Sequence, residues 1–114
     1  MIDLPDTWLG MVRGILAAHF PAREVWAHGS RVAGGAVRLS DLDIVLRGDP
    51  APDWRAVEGL RDAFSESDLP ISVDVAIWGE LPPAFQRRVE EKHEVIQRGA
   101  PEKAAAGGTR ASNP

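Results

Sequence analysis

The sequence predicts a small α/β domain: a mixed β-sheet of three to four strands flanked by helices. Three observations carry that expectation. Apolar runs with two-residue alternation trade places along the chain with segments of helical spacing. The link between the first two strands is short, which suits antiparallel neighbours. The link between the second and third holds a helix, which suits a parallel crossover, so the sheet should be mixed.

The elements follow in order. Thr7, after Pro5 and Asp6, opens a helix with Trp8, Met11, Val12, Ile15, Leu16 and His19 at helical spacing, and Pro21 stops it. Val25-Trp26-Ala27-His28 is a short strand ending at Gly29. Ser30 to Gly35 reads as a turn holding about one helical turn, broken by Gly34-Gly35. Leu42 to Leu46 is the second strand, closed by Gly48-Asp49-Pro50. Asp53 caps a helix with Trp54, Val57, Leu60, Ala63 and Phe64 on one side. Ile71 to Ile77 alternates strictly and is the cleanest strand. Pro82-Pro83 starts a last helix running through Phe85 and Val89 to about His93, and Val95-Ile96 adds a short edge strand. A domain over residues 1–99 is thus expected, followed by a disordered tail over 100–114. The tail carries nothing large and apolar, so burial cannot offset its ordering entropy.

Composition narrows the function. The 114 residues suffice for one sheet-and-helix core. With 13 Lys and Arg against 17 Asp and Glu the net charge is −4, a poor balance for sequence-independent nucleic-acid binding. The absence of cysteine excludes disulfides, thiolate metal sites and Cys nucleophiles. The N-terminus lacks the basic-then-apolar pattern of a signal peptide, and no apolar run approaches the roughly 20 residues that span a bilayer. A cytoplasmic location is the expectation.

The chemistry concentrates in Gly29-Ser30, ten intervening residues, then Asp41-Leu42-Asp43, with Asp74 in a later strand. Side chains two apart on a strand share a face, so Asp41 and Asp43 project together. Two carboxylates held so close repel unless a cation lies between them. Magnesium suits that place, since it takes one or two carboxylates together with phosphates and waters. Asp74, set between Val73 and Val75, completes a triad if its strand lies beside the second. Two ions then flank an α-phosphate, and a carboxylate serves as base for an acceptor hydroxyl. Glycine lets backbone approach phosphate, and the Ser30 hydroxyl and following N–H groups donate to it. Arg31 and Arg38 are the candidate cations for the triphosphate. Neither a Walker loop nor a Gly-x-Gly-x-x-Gly fingerprint is present.

The run His28-Gly29-Ser30-Arg31-Val32-Ala33-Gly34 through Ser40-Asp41-Leu42-Asp43 resembles the signature of the DNA polymerase β-like nucleotidyltransferases. It is most similar to their minimal nucleotidyltransferase group, over most of residues 7–98. The resemblance implies that Ser30 grips phosphate and that Asp41, Asp43 and Asp74 bind metal. It also implies an antitoxin that transfers AMP from Mg-ATP to a tyrosine of a HEPN-domain toxin encoded beside it, within a hetero-oligomer. His28, Ala33 and Gly35 depart from the group's usual Phe, basic and polar residues. No catalytic group is lost, but the case for a strong basic phosphate clamp is weaker.

Two other readings stand beside this one. The same fold can neutralise a toxin by contact alone, or pass a nucleotide to a small molecule such as an aminoglycoside, although the helical domain usual in such enzymes is not visible. His28 reads first as a packed or hydrogen-bonded strand end. Trp8, Trp26 and Trp54 read as core, and Trp78 as a wall of the nucleotide pocket or part of a partner surface. The apolar segment Leu81 to Phe85 is a candidate partner contact beside it.

Overall fold

The computed structural model describes residues 2–99, so the tail expected at 100–114 lies outside the described residues. Helix α1 (Asp6–His19) leads to strand β1 (Val25–His28), the single-turn helix α2 (Ser30–Ala33) and strand β2 (Leu42–Leu46). Helix α3 (Trp54–Glu66), strand β3 (Val73–Ile77), a 3-10 turn (Trp78–Glu80), helix α4 (Pro83–Glu91) and strand β4 (Glu94–Gln97) follow. The four strands form one sheet in the order β3-β2-β1-β4. β1 runs antiparallel to β2 and β4, and β2 runs parallel to β3, so the sheet is mixed as expected.

Alternation along the strands gives the sheet two faces. Val25 and Ala27, Leu42, Ile44 and Leu46, and Val75 point to one side, where Val12 and Leu16 of α1 and Val57, Leu60 and Phe64 of α3 close the main core. Helix α3 is therefore both the crossover between parallel strands and one wall of the core. Asp53 occupies its N-cap as expected, without a side-chain hydrogen bond there. The opposite face carries Trp26 and Val45, which pack with Val89 of α4 in a second, smaller cluster. Arg47 lies between two indoles there, its guanidinium carbon 4.0 Å from the Trp26 ring centre and 4.2 Å from that of Trp78. His93 stacks on Trp26 at 3.7 Å between ring centres. This stack braces α4 against one end of the second face.

Three expectations need correction. Strand β3 begins at Val73, because Ile71 is buried in the core before pairing starts. Trp54 is not core: it is 66% exposed, since as the first residue of α3 it overhangs the sheet. Trp78 is spent largely on Trp26 and Arg47. No described helix is long and apolar enough to cross a membrane.

Candidate active site

The site is built where β1 ends and β2 begins. Gly29 caps α2 with φ +79°, a region that residues bearing a Cβ rarely adopt. A second constraint falls on the same residue. A Cβ there would collide with Oδ2 of Asp43 and lie 3.2 Å from its Cγ. Only a bare Cα lets the carboxylate rest against the backbone of the turn. The Gly29 carbonyl accepts from the N–H of Val32 at 3.0 Å and of Ala33 at 2.8 Å, which winds α2 directly after it. The N–H groups of Ser30 and Arg31 precede the first intrahelical donor and are those that such a turn offers to an anion.

Strand register assembles the rest. His28 pairs with Asp43 across β1 and β2, and Asp43 pairs with Asp74 across β2 and β3. Opposed residues on neighbouring strands, about 4.8 Å apart, share a face. His28, Asp43 and Asp74 therefore form a row on the second face, at the end of the sheet away from the Arg47 stack. Asp41 stands one residue before β2 and is exposed. Burial is the main influence that raises the Asp43 carboxyl above the ordinary aspartate range. The neighbouring His28 opposes that rise, and the charges of Asp74 and then Asp41 add to it. Burial likewise lowers His28 below an ordinary histidine, against the pull of Asp43 and Asp74.

The row has the hard oxygen donors that a divalent cation such as magnesium prefers. The carboxylates of Asp74 and Asp41 act on Asp43 electrostatically. Among the described residues, no group of three or more His, Cys, Asp or Glu side chains is gathered to hold a metal ion. Of the three expected carboxylates, Asp43 and Asp74 face each other across β2 and β3, and Asp41 stands one residue before β2. Magnesium needs only one or two carboxylates when phosphate oxygens complete its shell, so the donors fit it together with a triphosphate.

Arg31 corrects another expectation. It is 3% exposed, and its guanidinium faces inward. Nε donates to the Ser40 carbonyl at 3.0 Å, Nη1 to that of Asp3 at 2.8 Å, and Nη2 to those of Arg38 at 2.7 Å and Ser40 at 2.9 Å. Those donors are committed to carbonyls, so Arg31 is not a ligand for the triphosphate. The Arg38 side chain is exposed and lines a shallow hollow with Asp3, Pro5 and Trp8, not with the carboxylates. Ser30 is half-buried at the first position of α2, where the sequence requires it.

His28 is the residue that sequence reasoning set aside. Its ring meets Phe85 edge-on at 5.8 Å, and its Nε2 is buried without a hydrogen-bond partner among the described residues. The signal was available: an antiparallel partner for β2 that ends at Gly29 puts His28 opposite Asp43. Asp74 is exposed and Asp43 half-buried, so the carboxylate row is open to solvent. A hollow of about 600 Å³ lined by Arg23, Arg47 and Gly48 lies at the other end of the sheet and takes no part in it.

Comparison with known proteins shows the family and the fold. Residues 12–101 match the family described as Polymerase beta, Nucleotidyltransferase. The chain is 38% identical over 96 residues to the probable protein adenylyltransferase MntA of Haemophilus influenzae, covering 84% of each. A mutant of the toxin-antitoxin MntA-HpeT shares its fold at TM-score 0.65 and 18% identity, over 79% of this chain and 73% of that one. A toxin-antitoxin crystallised with AMP-PNP superposes at TM-score 0.59, again at 18% identity and with the same coverage. The chain belongs to the polymerase β nucleotidyltransferase family.

Proposed function

We propose that the protein transfers AMP from ATP to a hydroxyl of a HEPN-type partner protein, and so acts as the antitoxin of a toxin–antitoxin pair. The observation that carries the reading is the contact between Asp43 and Gly29. One carboxylate rests against the phosphate-type turn and stands opposite another on the next strand, so triphosphate and cation meet at one point. Kinship with a protein adenylyltransferase supports a protein as acceptor. A toxin-antitoxin of the same fold with AMP-PNP supports ATP as donor.

In this mechanism the acceptor oxygen forms a bond to the α-phosphorus while the bond to the bridging oxygen breaks and pyrophosphate leaves. Gly29 and Ser30 hold the triphosphate through N–H groups and the Ser30 hydroxyl. Asp43 and Asp74, with Asp41 nearby, would hold the magnesium that the donor set fits, one ion or two. Bound magnesium supplies charge neutralisation at the phosphates. Asp74, exposed at the rim, takes the acceptor proton. His28, kept neutral near pH 7 by burial, leaves the charge of Asp43 uncompensated for the cation.

Incubation with α-labelled ATP, magnesium and the protein encoded beside it tests the reading. Label on the partner is expected. Asp74→Asn should lower kcat, and Ser30→Ala should mainly raise KM for ATP, because it removes one donor among several. Tight binding without label, or label on an added aminoglycoside alone, would overturn the proposal.

A further inference from the structure

We propose that Arg31 is a positioning residue for this reaction: it clamps the segment entering β2 to the phosphate turn and so fixes the carboxylates relative to the triphosphate. The inference rests on the nucleotidyl-transfer reading above and assigns a role to a side chain that touches no substrate. Arg31 is the buried charged side chain among the described residues. Burying a guanidinium is unfavourable unless its donors are met. Here they are met by carbonyls from two distant segments, Asp3 on one side and Val37, Arg38 and Ser40 on the other.

The clamped segment needs such a fastening. Between α2 and β2 the chain passes through Gly34 and Gly35, with φ of +111° and +90°. Neither glycine would meet a neighbour within 4 Å if it carried a Cβ. They give the loop freedom without packing, and Val37 and Leu39 are exposed, so burial does little to order it. Order comes from Arg31 and from the Ser40 hydroxyl, which accepts from the Val37 N–H at 2.9 Å. Arg31 follows Ser30, and Ser40 precedes Asp41, so one guanidinium joins the phosphate grip to the carboxylates across ten residues of sequence. A lysine keeps the charge but has one nitrogen and no planar fork, and cannot span these carbonyls. Reacting groups displaced by a fraction of an ångström to 1 Å lose rate far more than affinity.

The test compares wild type, Arg31→Lys and Ser40→Ala well below their melting temperatures, with folding checked by circular dichroism. Ser40→Ala loosens the same loop from a half-buried site and remains informative if Arg31→Lys does not fold. Expected is a kcat loss of about tenfold or more for Arg31→Lys and a smaller one for Ser40→Ala, with KM for Mg-ATP rising no further than the magnesium contribution to binding that is lost. Binding of a non-hydrolysable ATP analogue, by calorimetry, is a second readout that needs no turnover. The variants should bind it as wild type does without magnesium and lose most of the gain that magnesium brings. A lower melting temperature with unchanged kcat and an unchanged magnesium gain would make Arg31 a purely structural residue and overturn the proposal. A KM rise at constant kcat would make it a triphosphate ligand and overturn it equally. Failure of wild type to label any acceptor would count against the nucleotidyl-transfer reading, while the magnesium gain would still decide the role of Arg31.

Discussion

At the scale of single residues, Asp43 is held in a place that works against its charge, and this has a measurable consequence. A carboxyl raised in the folded state binds its proton more tightly there than in the unfolded chain. Its contribution to stability is therefore present at low pH and lost as pH rises through the raised value. Asp43→Asn should abolish transfer yet melt a few degrees above wild type at neutral pH without metal. That advantage should shrink toward zero below the ordinary aspartate range, and melting curves over a pH series check it. His28 acts in the opposite direction: its lowered pKa weakens the fold as pH falls below the ordinary histidine value of about 6.5. His28→Phe should flatten that part of the curve. Gly29→Ala combines a positive φ with a collision on Asp43, and should cost about 1 kcal/mol or more and most of the activity. In an Asp43→Ala background the collision is gone and only the backbone strain remains. The stability cost of Gly29→Ala should fall there, which a double-mutant cycle reads directly.

At the scale of elements, the site depends on strand register, and α3 sets the register that counts. The helix carries the chain from β2 back to the start of a parallel β3, and the fully buried Leu60 seats it on the sheet. Leu60→Ala should cost about 2–5 kcal/mol, with kcat per folded molecule unchanged, as seen by denaturation beside active-site titration. Trp54→Ala at the exposed start of the same helix should change stability by no more than about 0.5 kcal/mol. The contrast shows what the sequence carried and what it did not. Strand alternation and the lengths of the links were enough to place β1, β2, β3 and the mixed sheet, but not the register that sets Asp74 opposite Asp43. Periodicity alone put Trp54 among the core residues, because the pattern does not say where a helix overhangs the sheet beneath it. Arg31 was illegible for a different reason. Beside a phosphate-type turn an arginine reads as a phosphate ligand, and its burial depends on carbonyls at Asp3 and at 37–40 that only the folded chain brings near. The start of β2 at Leu42 was hidden likewise, and i and i+2 share a face only while both residues belong to the strand.

At the scale of the whole molecule, one face of the sheet is sealed by α1 and α3, and the other is only partly covered by α4. The end bearing His28, Asp43 and Asp74 is left as a shelf. Its edge carries Phe85, 37% exposed and in contact with His28, within the segment expected to meet a partner. On the proposed function, a shelf of this kind would leave the reacting phosphate in water until an acceptor protein covered it, and turnover should then depend on the partner. The most direct test is the intact mass of that partner after co-expression with wild type and with Asp43→Asn. The account predicts a partner heavier by a whole number of AMP units with wild type, the added group mapping to a hydroxyl side chain, and an unmodified partner with Asp43→Asn. An unmodified partner in both cases, bound and silenced nonetheless, would contradict it.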